Sequence, residues 1–159
     1  MRVPNQETTL NLLLWRHADA AEGNPDISRT LTPRGVKQAQ RMALWLDQHA
    51  PSDLRVIASP ATRTCQTIEA WEHSYEVSED VGLDATPHTL LAAAGWPETG
   101  GSVLIVGHQP TLGQVASILL RDEDSALSFK KGALWWFQLR ERNGEMQTVL
   151  KTVINADLI

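Results

Sequence analysis

The chain has 159 residues, 42% of them hydrophobic, a size and composition typical of one domain with one buried core. Its formal net charge of −5 disfavours nucleic-acid binding, so an anion site would have to be a local cluster of basic residues. No apolar run approaches the ~20 residues that cross a bilayer, and the single cysteine, Cys65, excludes an internal disulfide. We therefore expect a cytoplasmic protein with a single domain over residues 1–159, in which residues 1–9 form a polar N-terminal extension.

The first strand and the first helix are marked clearly. Residues 10–15 are an apolar run that predicts a buried strand, and Arg16-His17 follows it directly. Thr32 and Pro33 are the side-chain cap and first-turn proline of a helix start. The apolar positions at helical spacing after them are Val36, Ala39, Ala43 and Leu46.

The middle of the chain repeats this alternation. Residues 55–58 predict a second strand, and Ser59-Pro60 repeats the cap-plus-proline signal for a helix over about residues 60–71. Residues 75–78 predict a short strand near an edge of the sheet, and residues 87–94 predict another helix.

The end of the chain changes from alternation to a hairpin. Residues 102–106 predict a third buried strand, followed by a helix over about residues 110–120. Asn143-Gly144 lies between two strand-like runs, residues 133–139 and 147–154, and is a strong hairpin signal. We expect an α/β protein, a three-layer α/β/α sandwich with a mostly parallel central sheet and an antiparallel C-terminal hairpin.

Three polar segments each follow a predicted strand: Arg16-His17, then Ser59 to Arg63, then Gly107-His108. The carboxyl ends of parallel strands share one edge of a sheet, where ligands bind in open α/β folds. If the sheet is parallel, these segments meet there. The hypothesis of a common site depends on that parallel assignment.

These residue types point to phosphate chemistry. The planar guanidinium groups of Arg16 and Arg63 can each bind two oxygens of a phosphoryl group. A neutral His17 can attack phosphorus, and His108, if protonated, can donate to a phosphoryl oxygen. The chain has no metal-binding spacing of histidines, so we expect no metal and no other cofactor.

The motifs resemble those of the histidine phosphatase superfamily, the phosphoglycerate mutase-like proteins, in order and over nearly the whole chain. They are Arg16-His17, Ser59-Pro60 with Arg63 and Gln66-Thr67, and Gly107-His108. Within the superfamily, the short length and the segments Arg16–Ala20, Arg29–Gly35 and Gly107–Pro110 resemble the SixA-type phosphohistidine phosphatases.

The resemblance implies roles for individual residues. It implies that His17 is the nucleophile and that Arg16, Arg63 and His108 hold the phosphoryl group, with Arg29 as a further phosphate contact. Two features depart from the pattern of the superfamily. Ala18 stands where the superfamily commonly has glycine, and no carboxylate clearly matches the general acid of the phosphoglycerate mutase branch.

Asp84 and Glu98 match that general acid only by rough position. A phosphohistidine releases an imidazole that can leave already protonated, so a missing acid favours that substrate. We expect a phosphatase that removes a phosphoryl group from a protein histidine through a phosphohistidine on His17. The partner would be a phosphorylated protein, such as a histidine-containing phosphotransfer domain.

Two alternatives stay open at the level of sequence. The first is a phosphatase of small phosphomonoesters from the same superfamily. The second is a non-catalytic module that binds phosphate or phosphohistidine, to which Ala18 is the one hint. Neither nucleic acid nor a membrane is an expected partner.

Overall fold

A six-stranded sheet forms the centre of the structure, a computed structural model that describes residues 9–97, 100–122 and 127–159. The strands are β1 (Thr9–Arg16), β2 (Leu54–Ala58), β3 (Glu76–Val77), β4 (Gly101–Gly107), β5 (Leu134–Arg142) and β6 (Glu145–Ile154). The α-helices of the described residues are α1 (Pro33–His49), α2 (Thr62–Glu69), α3 (Pro87–Ala94) and α4 (Thr111–Leu119). Residues 1–8 of the predicted N-terminal extension lie outside the described residues.

The sheet is parallel on one side and antiparallel on the other, as the sequence predicts. The strand order is β3-β2-β4-β1-β5-β6. β3, β2, β4 and β1 pair in parallel, whereas β5 runs antiparallel to both β1 and β6. Asn143 and Gly144 have φ values of 54° and 78°, as the turn of a two-residue hairpin requires. The predicted fold class is confirmed.

Both faces of the sheet are buried, which explains why the predicted strands are continuously apolar. On β1, Leu12 and Leu14 belong to a core shared with α3 and α4, while Leu13 and Trp15 belong to a core shared with α1 and α2. Among the described residues, no helix has the length and apolar composition to cross a bilayer.

Helix α1 begins as predicted but presents a different face to the core. The Thr32 Oγ1 accepts a hydrogen bond from the Gly35 amide at 3.0 Å, with Pro33 in the first turn. Val36, predicted to be apolar core, is 42% exposed, and Gln38 is buried at 3% exposure. The reason is a hydrogen bond, because Gln38 Oε1 accepts from the Asp19 amide at 2.9 Å.

Helix α2 differs from the prediction at both ends. It begins at Thr62, and no side chain caps it. Ser59, the predicted cap, instead has its Oγ within a tight turn, where it accepts from the Ala61 amide at 3.2 Å. The helix ends at Glu69, two residues before the predicted end at Trp71.

Replacing Gly35 by alanine is expected to lower the free energy of unfolding by about 1–3 kcal/mol, the usual range for overpacking. The new Cβ would lie 2.0 Å from the Asp19 carbonyl oxygen. Helix propensity alone predicts the opposite, a free energy of unfolding that is higher by about 1 kcal/mol in the alanine variant. Urea unfolding measures the change, with Lys37→Ala on the exposed face of α1 as control. A Gly35→Ala variant no less stable than the wild type would contradict the close packing of α1 on the loop after β1.

Candidate active site

The ends of three parallel strands converge as the motif order predicts. Arg16 is paired with Gly107 across β1 and β4, and the amide of His17 donates to the Gly107 carbonyl at 3.1 Å. His108 follows β4, and the His17 and His108 ring centroids are 5.4 Å apart. At the end of β2, the Ser59 amide donates to the neighbouring strand, so this segment joins the same edge.

His17 is held as a neutral imidazole with one defined tautomer. It is 6% exposed, and its Nδ1 lies 2.8 Å from the Ala18 carbonyl oxygen. A carbonyl oxygen can only accept, so we assign the proton to Nδ1, which leaves a lone pair on Nε2. Burial, together with the nearby His108, Arg63 and Arg16, lowers the pKa of His17 to about 3. His17 is therefore uncharged at neutral pH and has the lone pair that a nucleophile needs.

His108 is neutral as well. Its Nε2 lies 2.8 Å from Ser59 Oγ, and its buried Nδ1 has no hydrogen-bond partner among the described residues. Burial is the main reason that the pKa of His108 falls to about 4, and Arg63 lowers it further. The Ser59 Oγ already accepts from the Ala61 amide, so its hydroxyl can donate to Nε2 and leave the proton of His108 on Nδ1. His108 can therefore donate to an anion without the positive charge considered from the sequence.

The two arginines are anchored in the same way. Arg16 Nη1 donates to the Phe129 carbonyl at 2.7 Å, and Arg63 Nη1 donates to the Asp26 carbonyl at 2.8 Å. The Nε of each guanidinium is buried without a hydrogen-bond partner among the described residues. Burial lowers the pKa of Arg16, and the like charge of Arg63 lowers it further. A buried Arg63 and a half-buried Arg16, each with an unused, buried Nε–H group among the described residues, make a site that an anion would stabilise.

The guanidinium of Arg29 is held by neighbouring protein groups. Its Nε donates to the Ala21 carbonyl at 2.8 Å, its Nη2 lies 3.5 Å from the Ala20 carbonyl oxygen, and its Nη1 forms an ion pair with Asp26 at 3.1 Å. All three guanidinium nitrogens thus face protein oxygens. A direct phosphate contact from Arg29 stays a prediction.

Asp26 is the site residue that sequence reasoning missed. It begins a short 3-10 helix, Asp26–Ser28, and its Oδ2 lies 3.2 Å from Arg63 Nη2. A hydrogen bond from Arg29 is the main cause that lowers the pKa of the Asp26 carboxyl. The signal in the sequence was the three-residue spacing of Asp26 and Arg29, but an ion pair at this spacing is common on protein surfaces.

Ala18 fits its place without strain. Its side chain is fully buried, and its backbone lies outside the left-handed region that would favour glycine. The Ala18 amide donates to Thr67 Oγ1 at 3.0 Å, and the Thr67 hydroxyl donates to the Arg63 carbonyl at 2.7 Å. Thr67 therefore ties the loop that holds His17 to the helix that carries Arg63.

Of the two general-acid candidates from the sequence, the structure describes Asp84. Asp84 is exposed and, among the described residues, has no hydrogen bond or ion pair with His17, His108 or Arg63. Glu98 lies outside the described residues. Within the described part of the chain, no group of three or more metal-ligating side chains occurs.

The burial of a neutral His17 predicts a specific pH dependence of stability. Its pKa is about 3 in the folded state and 6.5 when unfolded, so below pH 6.5 the unfolded chain binds a proton that the folded chain does not. Stability is therefore lost as pH falls, by at most about 1.4 kcal/mol per pH unit for this group. We expect His17→Asn, whose amide can still donate to the Ala18 carbonyl, to have a shallower slope than the wild type between pH 7 and 4. Denaturant unfolding at each pH measures both slopes, and parallel curves would show that His17 is not held neutral.

Comparison with known proteins agrees with this geometry. The family model of the histidine phosphatase superfamily (branch 1) matches residues 12–85. The chain is 29% identical over 126 residues to the phosphohistidine phosphatase SixA homolog of Haemophilus influenzae, covering 69% of this chain and 77% of that one. It is 32% identical over 111 residues to an uncharacterized Mycobacterium tuberculosis protein, covering 65% and 68% of the two chains. The solved structure of a candidate SixA phosphohistidine phosphatase from Nakamurella multipartitia is 27% identical, with a TM-score of 0.73 over 92% of this chain and 96% of that one. The chain therefore belongs to the histidine phosphatase superfamily, where it is of the SixA type, and it is a phosphatase.

Proposed function

We propose that the chain is a protein phosphohistidine phosphatase that acts through a covalent phosphohistidine on His17. The observation that carries the proposal is the neutral His17, oriented by the Ala18 carbonyl, together with nitrogens of Arg16, Arg63 and His108 that have no partner among the described residues. The proposed substrate is the phosphorylated histidine side chain of a partner protein. A histidine-containing phosphotransfer domain is the proposed class of partner, and the cytoplasm is the proposed compartment.

In the first step, the Nε2 lone pair of His17 attacks the phosphorus atom. The bond between phosphorus and the substrate ring nitrogen breaks, and its electron pair stays on that nitrogen. Because the other ring nitrogen of the substrate already carries a proton, the ring leaves as neutral imidazole. The Nε–H groups of Arg16 and Arg63 bind phosphoryl oxygens and stabilise the charge that spreads over them in the transition state.

In the second step, water attacks the phosphorus of phospho-His17. The electron pair of the N–P bond returns to Nε2, and a proton of the water passes to a phosphate oxygen. His108 donates from Nδ1 to a phosphoryl oxygen as a neutral imidazole, which is a weaker acid than imidazolium and so keeps its proton. The Ala18 carbonyl holds His17 in one orientation throughout.

The ionisation state of the Asp26 carboxylate favours a phosphoramidate substrate. Hydrolysis of an alkyl ester benefits from a general acid that protonates the leaving oxygen, typically worth about 100- to 10,000-fold. The carboxyl that contacts the site arginine Arg63 is Asp26, and the pKa of that carboxyl is lowered below its usual value. Asp26 is therefore ionised at neutral pH and has no proton to donate. A protonated phosphohistidine needs none.

We expect wild-type protein, mixed with a phosphohistidine-containing carrier protein, to acquire label on His17 that is labile to acid and stable to base. His17→Asn should lose the label and at least about 10³-fold in kcat, as expected when a nucleophile is removed. Rapid quench with a ³²P-labelled substrate measures both quantities.

His88→Asn, at an exposed histidine of α3, is the matched control and should behave as wild type. Turnover that survives His17→Asn would show that another group is the nucleophile. A strong preference for p-nitrophenyl phosphate over phosphohistidine would instead favour the small-molecule alternative, and phosphate binding without turnover would favour the binding module.

A further inference from the structure

Asp26 is an exposed carboxylate that contacts the buried site arginine Arg63. His17 is buried at 6% exposure, whereas the Asp26 side chain is 55% exposed. In an in-line displacement, the leaving group departs opposite the attacking nitrogen. A leaving group opposite the buried His17 points toward solvent, and the exposed Asp26 carboxylate, held by a site arginine, is a candidate contact for that group.

Two arginines fix the orientation of the Asp26 carboxylate without using all of its acceptor capacity. Arg29 Nη1 lies 3.1 Å from Oδ1, and Arg63 Nη2 lies 3.2 Å from Oδ2. The Asp26 carbonyl also accepts a hydrogen bond from Arg63 Nη1 at 2.8 Å. The main chain and the side chain of Asp26 therefore both bind the same end of this guanidinium. An ionised carboxylate has about four acceptor positions, and these contacts leave both oxygens able to accept again.

The guanidinium of Arg63 links this carboxylate directly to the phosphoryl position. The Arg63 Nη2 carries two hydrogens. One of them donates to Asp26 Oδ2, and the other lies on the edge of the guanidinium that also has the Nε–H group. That edge has the buried Nε, which has no hydrogen-bond partner among the described residues. A phosphoryl oxygen bound there is separated from the Asp26 carboxylate by a single guanidinium nitrogen.

We infer that Asp26 is a specificity-determining residue whose carboxylate accepts a hydrogen bond from the N–H of the substrate imidazole, with Arg29 as the residue that positions it. The inference rests on the proposed function, since it concerns the leaving group of a phosphohistidine. The bond from phosphorus to one ring nitrogen breaks, and the other ring nitrogen keeps its proton and donates it to Asp26 as a hydrogen bond only. No proton is transferred to Asp26, and the ring departs neutral.

The same carboxylate selects against esters. A phosphomonoester leaving group gains negative charge on its oxygen as the bond to phosphorus breaks. That charge would develop near the ionised Asp26, and like charges repel. A protonated imidazole instead offers an N–H and a partial positive charge, for which a carboxylate is the complementary acceptor. One residue thus favours one class of leaving group and disfavours the other.

The test compares two substrates, phosphohistidine and p-nitrophenyl phosphate, on wild type and Asp26→Asn. Hydrogen bonds to charged groups contribute enough to expect a loss of about 10-fold or more in kcat/KM for phosphohistidine. The kcat/KM for p-nitrophenyl phosphate should stay the same or rise. In the pH profile of kcat for phosphohistidine, the alkaline limb should move to lower pH in the variant. The reason is that the carboxylate no longer stabilises the protonated imidazole ring of the substrate.

Asp53→Asn is the matched control, an exposed aspartate just before β2 at the opposite end of the sheet. Equal losses on both substrates would mean that Asp26 only supports Arg63, and they would overturn the inference. An alkaline limb that does not move would overturn it too. If the wild type hydrolyses p-nitrophenyl phosphate but never phosphohistidine, the proposed function itself fails, and that outcome is visible before any variant is made.

Discussion

The parallel pairing of β1 with β4 sets Arg16 opposite Gly107 and therefore brings the two residues that follow, His17 and His108, to the same level of the sheet. A shift of register by one residue would turn each side chain of β1 to the other face. Both faces of β1 are packed, with Leu14 in one core and Trp15 in the other. A shift would exchange these side chains between two cores that are shaped for other residues. The same burial that stabilises the sheet thus fixes the spacing of the two histidine rings.

Burial also sets the charge in the site. The two histidines are removed from water and remain neutral, while partial burial and the like charge of Arg63 lower the pKa of Arg16. Holding these like charges close together costs stability locally, and it also makes the site complementary to a dianion. This relation is common in active sites. In a protein of net charge −5, such a cluster is a local concentration of positive charge.

Much of this arrangement follows from local sequence signals. The apolar runs predict the strands, Thr32-Pro33 predicts the start of α1, and Asn143-Gly144 predicts the hairpin, because each depends on neighbours along the chain. The meeting of His17 with His108 follows once the strands are taken as parallel.

What the sequence could not give depends on contacts between distant segments. Ser59 reads as a helix cap, yet its hydroxyl contacts His108, which is 49 residues away. Gln38 is not among the apolar positions that the sequence marks on α1, yet it is buried and its side chain accepts from an amide of the loop after β1. The neutral state of His108 and the contact of Asp26 with Arg63 depend on burial and on tertiary position in the same way.

Each of the two site arginines donates to a main-chain oxygen, that of Phe129 for Arg16 and that of Asp26 for Arg63. A main-chain carbonyl is present whatever side chain the residue carries, so this part of the anchoring survives a substitution at either position as long as the backbone path is kept. Side chains in the loops around the pocket can then be substituted while these main-chain contacts remain. Such substitutions would change which leaving groups and partner surfaces the site accepts. Phosphate recognition and substrate choice can in this way diverge independently within one fold.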